Sequence, residues 1–122
     1  MTLVENIRVR SQDGTHLHVE VHGNPDGPTL LLSHGWTCSI RFWLPLIAEL
    51  SGEYRLVAYD QRGHGRSDRP GAGGGGTGTS TSAGTGSYSV PALAEDLAAV
   101  LDATAGSEQV ILIGHSMGGM SI

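Results

Sequence analysis

Val110-Ile111-Leu112-Ile113-Gly114-His115-Ser116-Met117-Gly118-Gly119 is the stretch that decides the fold. An unbroken apolar run flows into Gly-x-Ser-x-Gly, which is how a buried parallel strand meets a reactive serine on a sharp turn. A hydroxyl that is to attack a carbonyl must stand clear of its sheet. The turn that lifts it there is so tight that side chains two positions to either side would strike the neighbouring strand and helix. Gly114 and Gly118 remove those side chains. The helix expected next points its amino terminus at the serine and makes the main-chain N–H of Met117 a donor for a developing oxyanion. Ser116 is therefore the candidate nucleophile, with His115 beside it and Gly119 continuing the glycine-rich helix entry.

Upstream of this stretch, Ser89 is placed to cap a helix with Pro91 in its first turn. Val90, Leu93, Leu97, Val100 and Leu101 form an apolar stripe at helical spacing, and Gly106 closes it. From Gly71 to Ser87 the composition changes to Gly, Thr, Ser and Ala, with no large apolar residue to anchor it, so 71–87 is expected to be a flexible loop within a single domain over 1–122. As a Gly/Ser-type coil its ends would lie on the order of 20 Å apart if unrestrained, which lets the flanking elements dock normally. Its glycines do not make a nucleotide site: no Lys stands in a Gly-Lys-Ser/Thr position, and the tract does not join a strand directly to a helix.

Earlier still, Tyr54 to Tyr59 reads as a strand ending at Asp60-Gln61-Arg62-Gly63-His64-Gly65-Arg66-Ser67-Asp68, which gathers charge and glycine at its carboxyl end, where open parallel sheets place their sites. Thr29 to Leu32 is a short buried strand ending at Ser33-His34-Gly35-Trp36. A short helix is expected near Phe42 to Leu50, with Trp43, Ile47 and Leu50 on one face, Pro45 in the first turn and Gly52 as its stop. At the start, Val4, Ile7 and Val9 alternate with polar residues. After the Gln12-Asp13-Gly14-Thr15 turn, Leu17, Val19 and Val21 alternate with His16, His18, Glu20 and His22, which makes a hairpin. The imidazoles and Glu20 share one face; imidazole clusters can bind metal, but the simpler reading is a solvated face. Strand and helix alternate from Thr29 onward, which calls for parallel strands with right-handed crossovers. The last strand, apolar on both faces, reads as central in that sheet.

The 122 residues are enough for one domain or part of one, and a formal charge of −5 without a basic block argues against nucleic acid and anionic membrane as partners. Charges occupy the amino terminus where a secretory signal would need an apolar stretch, and no apolar run approaches membrane-spanning length, so no membrane insertion and a cytoplasmic location are expected. Cys38 is the single cysteine, which excludes an internal disulfide and a multi-cysteine metal site.

His34-Gly35-Trp36 follows one strand and precedes a helix, where a second oxyanion donor is needed; that donor would be the N–H of Trp36, paired with that of Met117. With His34-Gly35-Trp36, Ser39, Trp43, the run Asp60 to Ser67 and Gly114-His115-Ser116-Met117-Gly118-Gly119 in this order, the sequence closely resembles the α/β-hydrolase superfamily. The resemblance covers most of the chain outside 71–87. It implies Ser116 as nucleophile, main-chain donors at Trp36 and Met117, supporting roles for His34, Gly35, Gly114, His115, Gly118 and Gly119, and a structural place for the Asp60–Ser67 loop, with Asp60 and His64 outside the catalytic triad.

In that family the acid and the base follow the serine, whereas all six histidines here precede Ser116. The chain is accordingly read as the amino-terminal part of an α/β-hydrolase sheet, an antiparallel first hairpin followed by parallel strands with crossover helices, stopping just after the elbow. Alone it is expected to expose the elbow strand as an apolar edge, to fold poorly and to be inactive. The implied activity is hydrolysis of an ester or related acyl bond in a small-molecule substrate through an acyl-enzyme, with no metal or organic cofactor. A cofactor-free peroxidase-like enzyme, a carbon–carbon bond hydrolase, a non-catalytic binding module and an inactive truncated product are the alternatives that the motifs leave open. An Asp at the elbow would have pointed to dehalogenase or epoxide-hydrolase chemistry; Ser116 argues against both.

Overall fold

A computed structural model describes residues 3–70 and 88–122; the loop expected at 71–87 lies outside the described residues. Period-two alternation lays β1 (Leu3–Arg10) against β2 (His16–Gly23) as an antiparallel hairpin. Gly14 turns between them at φ 93°, a conformation open to a residue without Cβ. β3 (Thr29–Ser33), β4 (Arg55–Tyr59) and β5 (Val110–Gly114) complete a five-stranded sheet of order β1-β2-β4-β3-β5. β3 runs parallel to β4 and to β5, while β2 meets β4 antiparallel. This is the expected arrangement of a hairpin leading into parallel strands.

The helix foreseen near Phe42–Leu50 is two elements, a 3-10 turn over Ile40–Trp43 and α1 over Leu44–Leu50. The tighter start has a local cause, because the Ser39 hydroxyl accepts the N–H of Arg41 and so closes the first turn early. α2 (Val90–Thr104) begins as its sequence dictates: the Ser89 hydroxyl accepts the N–H of Ala92, and Pro91 sits in the first turn. It ends where Gly106, at φ 62°, returns its N–H to the carbonyl of Leu101. α3 (Met117–Ser121) leaves the elbow.

The sheet buries both faces. Val9, Leu17, Val19, Val21, Leu31, Val57 and Tyr59 pack with Leu97 and Val100 of α2, and Leu30, Leu32, Leu56 and Ala58 pack with Ile40, Trp43 and Ile47 on the other side. Each fully buried aliphatic side chain here contributes about 1.5–3 kcal/mol. Val90, which spacing assigns to the α2 stripe, is exposed in the first turn, and Asp96 occupies a buried position on the same helix.

The histidine face of β2 is not the solvated face that alternation suggested. Glu20 lies opposite Ala58 and His22 opposite Leu56, so this face belongs to the side covered by α1. The Glu20 carboxylate is held between His18 Nε2 at 3.0 Å and His22 Nε2 at 2.8 Å. Burial would raise the Glu20 carboxyl, but these hydrogen bonds outweigh it and hold it below its ordinary value. Among the described residues no group of three or more His, Cys, Asp or Glu is placed to hold a metal ion.

β5 stands at the end of the strand order, paired with β3 alone, and Ile111 on it is 55% exposed. It is the apolar edge expected of this chain on its own, in a strand whose apolarity on both faces suits a central place in a longer sheet. No helix among the described residues is long and apolar enough to cross a membrane.

Candidate active site

Three strand ends set the site. Ser33 pairs with Tyr59 of β4 and with Gly114 of β5, so His34, Asp60 and His115 leave the sheet at one level. Beyond β5 the chain turns at Ser116, whose φ of 55° and ψ of −117° lie in territory that costs a non-glycine residue about 1–3 kcal/mol. Three main-chain bonds hold the turn, from His115 N to the Ser33 carbonyl (3.0 Å), from Gly118 N to the His115 carbonyl (2.9 Å) and from Gly119 N to the Ser116 carbonyl (2.8 Å). Ser116 itself is exposed. A Cβ on Gly118 would overlap the Ser33 carbonyl oxygen, and one on Gly114 would stand 2.6 Å from the backbone of Gly119. These two glycines let strand and helix close up behind the serine.

The segment after β3 lies directly against this turn. A Cβ on Gly35 would come within 3.1 Å of Ser116 Cβ and 2.9 Å of His115 Nδ1, so the absence of a side chain is what permits the approach. Trp36 follows with its indole 57% exposed, edge-on to the rings of His64 at 4.8 Å and Tyr88 at 6.3 Å. Thr37 then takes φ 66°, the other non-glycine residue with positive φ among those described. Cys38 N returns to the Gly35 carbonyl at 3.1 Å and closes the turn.

His34 is buried with both ring nitrogens engaged: Nδ1 lies 2.7 Å from the Gly35 carbonyl and Nε2 accepts the N–H of Gln61 at 2.9 Å. A nitrogen that accepts an amide N–H carries no proton, so His34 is neutral with its hydrogen on Nδ1. Burial pushes the imidazole below its ordinary value, consistent with that state. His64 is engaged in the same way, Nδ1 with the Arg62 carbonyl and Nε2 with the N–H of Thr37, each at 2.9 Å. His115 stacks on Phe42 with ring centroids 4.4 Å apart, and His16 lies 3.4 Å from Asp68. With His18 and His22 committed to Glu20, none of the six is arranged beside Ser116 as a base would be.

Beneath the site lies polar structure that sequence reasoning did not find. Ser33 Oγ meets Tyr59 Oη at 3.2 Å and Ser121 Oγ at 3.1 Å, and accepts a hydrogen bond from Gln61 Nε2 at 2.9 Å, tying α3 to β3 and β4. Burial pushes the Tyr59 phenol up to about 12. Asp60 accepts the N–H groups of Ile40 (2.8 Å) and Arg66 (3.0 Å), so its carboxylate braces loops. Arg62 makes two 2.7 Å bonds to Asp96 and one of 2.9 Å to Asp13. One signal for this pair was present: Asp96 falls three residues after Leu93 and four before Val100, on the buried stripe of α2, where a carboxylate requires a partner.

Comparison with known proteins identifies the family of the fold. Residues 28–122 match the family described as the alpha/beta hydrolase fold. The chain is 42% identical over 105 residues to the RutD protein of Variovorax paradoxus (strain S110), covering 85% of this chain and 34% of that protein. It is 29% identical over 121 residues to 3-oxoadipate enol-lactonase 1 of Acinetobacter baylyi, covering 99% of this chain and 40% of that protein. Among solved structures, the esterase RhEst1 from Rhodococcus sp. ECU1013 superposes with a TM-score of 0.78 at 37% identity, over 99% of this chain and 38% of that one. The chain thus spans between a third and two-fifths of the length of these relatives. By its sheet order, its glycine-lined serine turn and the match over residues 28–122, the chain belongs to the alpha/beta hydrolase fold family.

Proposed function

We propose that Ser116 is the nucleophile of a serine hydrolase that cleaves an ester or related acyl bond in a small-molecule substrate. The observation that carries this reading is the contact between the two segments: exposed Ser116 sits at positive φ within reach of Gly35, the residue before Trp36. In the reaction Ser116 Oγ bonds to the acyl carbon while its proton passes to a general base. The carbonyl electron pair moves onto oxygen, where the main-chain N–H groups of Trp36 and Met117 receive it; collapse re-forms the carbonyl and breaks the bond to the leaving oxygen, which takes the proton back from the base and departs as the alcohol, leaving an acyl-enzyme. Water then releases the acid by the reverse sequence. One such N–H donor is worth about 10²–10³-fold in rate. Since the histidines described here are committed elsewhere, the base and the acid that orients it come from chain beyond Ile122.

The names of two similar proteins, an esterase and an enol-lactonase, support an ester-type bond. The serine supplies the nucleophile, so the step calls for no metal or organic cofactor. The test is labelling of the full-length protein by a fluorophosphonate probe. Modification at Ser116 that disappears in Ser116→Ala is the expected result; equal labelling of the variant would refute the assignment.

A further inference from the structure

We infer that His64 is a positioning residue for the proposed oxyanion loop: its neutral ring accepts the N–H of Thr37 and thereby fixes the peptide that follows Trp36 beside Ser116. The inference rests on the proposed role of Trp36 and adds to it a residue outside the catalytic set. His64 is 7% exposed and arrives from the loop after β4, whereas Thr37 belongs to the loop after β3, so the contact crosses between two segments 27 residues apart.

Both ring nitrogens are constrained. Nδ1 lies against a carbonyl oxygen, that of Arg62, which only a donor satisfies; Nε2 faces an N–H, that of Thr37, which only an acceptor satisfies. The two contacts therefore select one tautomer, and that tautomer is the one that can hold Thr37. The ring is kept from rotating by edge contacts with Trp36 at 4.8 Å and His34 at 5.2 Å. Its own anchor is firm, because the Arg62 side chain is tied to Asp96 and Asp13.

The held residue is one that needs holding. Thr37 is β-branched and stands at φ 66°, a conformation that such a residue does not adopt unaided. Without the His64 acceptor, Thr37 relaxes toward ordinary backbone angles, and the adjoining peptide of Trp36 swings with it. A displacement of that kind lowers turnover much more than substrate affinity, because the N–H of Trp36 meets its charge only in the transition state.

The experiment uses the full-length protein, first shown to label at Ser116, so that failure of the nucleophile assignment is seen separately. His64→Leu removes the acceptor, while His64→Gln keeps an acceptor oxygen near the place of Nε2. The expected result is a fall in kcat of about 10- to 100-fold for His64→Leu with KM changed far less, and recovery of most of that loss in His64→Gln. Nitrogen-15 spectra of the wild-type imidazole supply a readout independent of the variants, with the hydrogen expected on Nδ1 and Nε2 unprotonated. Unchanged kcat in a folded His64→Leu, or a wild-type ring with its hydrogen on Nε2, would overturn the inference; should His64→Leu not fold, the wild-type spectrum decides.

Discussion

Replacing Arg62 with methionine should be the most damaging single change to the floor beneath the site. Arg62 and Asp96 have side chains that are 0% exposed, and two hydrogen bonds of 2.7 Å join them. Burial alone would lower the Arg62 pKa, but the bonds to Asp96 and Asp13 outweigh it and raise it, so the buried guanidinium keeps its charge. Arg62→Met leaves the Asp96 carboxylate in the interior with the Ser11 hydroxyl against it, a situation that costs about 3–5 kcal/mol. Asp96→Leu should cost less, toward the lower end of that range, because the stranded guanidinium keeps Asp13, which is 47% exposed and brings water with it. The double variant Arg62→Met/Asp96→Leu removes both charges and should recover to within about 1–2 kcal/mol of the parent, since apolar replacements of buried pairs are often near neutral. Urea unfolding of the parent and the three variants, each as the full-length protein, reads this directly. With an m-value of about 1.5 kcal/mol/M, the Arg62→Met midpoint should fall by about 2–3 M. A loss under about 1 kcal/mol for Arg62→Met, or a double variant as unstable as the sum of the singles, would refute the reasoning.

Two further changes probe the elbow and the hairpin. Gly118→Ala puts a methyl group against the Ser33 carbonyl, a backbone atom that cannot rotate away, so we expect about 1–3 kcal/mol of destabilisation in thermal unfolding and loss of fluorophosphonate labelling at Ser116; a variant that unfolds and labels like the parent would contradict the packing. Asp13 is partly buried, which would raise its carboxyl, but hydrogen bonds from Arg62 and Thr15 prevail and hold it at about 2 against an ordinary 3.8. A depressed folded-state value contributes stability that is present above the unfolded value and lost as pH falls through the folded one. Asp13→Asn should therefore cost about 1 kcal/mol at neutral pH, after allowance for solvent screening of a half-exposed group, and the gap should close as pH falls from about 4 to about 2. A gap independent of pH over that window would rule out the charge as its cause.

Much of this was legible in the chain because it is written locally. The alternation of Leu17, Val19 and Val21 with polar residues gives β2, the Ser89 hydroxyl and Pro91 give the start of α2, and Gly106 gives its end. The glycines of Gly114-His115-Ser116-Met117-Gly118 announce a turn with no room behind it. What was not legible depends on which surfaces meet. Alternation tells that His18, Glu20 and His22 share a face, but only the docking of α1 makes that face half-buried. The stripe of α2 marks Asp96 as misplaced without naming Arg62, 34 residues away, as its partner. Val90 fits the same stripe by spacing and is exposed as the first residue of the helix.

The placement of the site follows from register rather than from any one motif. Because Ser33 pairs with both Tyr59 and Gly114, the three parallel strands end level, and each delivers a loop to the same place. Two of those loops contain a non-glycine residue at positive φ, Thr37 and Ser116, each costing about 1–3 kcal/mol to hold. Neither is held by its own loop alone: Ser116 depends on the bond from His115 to the Ser33 carbonyl, and Thr37 on the imidazole of His64 from the third loop. The strain is therefore offset between loops, so a slip of one residue in the pairing of β3 with either neighbour would separate Gly35 from Ser116 and release both turns. A serine turn of the same sequence outside this sheet would lack the carbonyl that holds it and the loop that faces it. That is why the motif acquires its chemical meaning only where three strands end together.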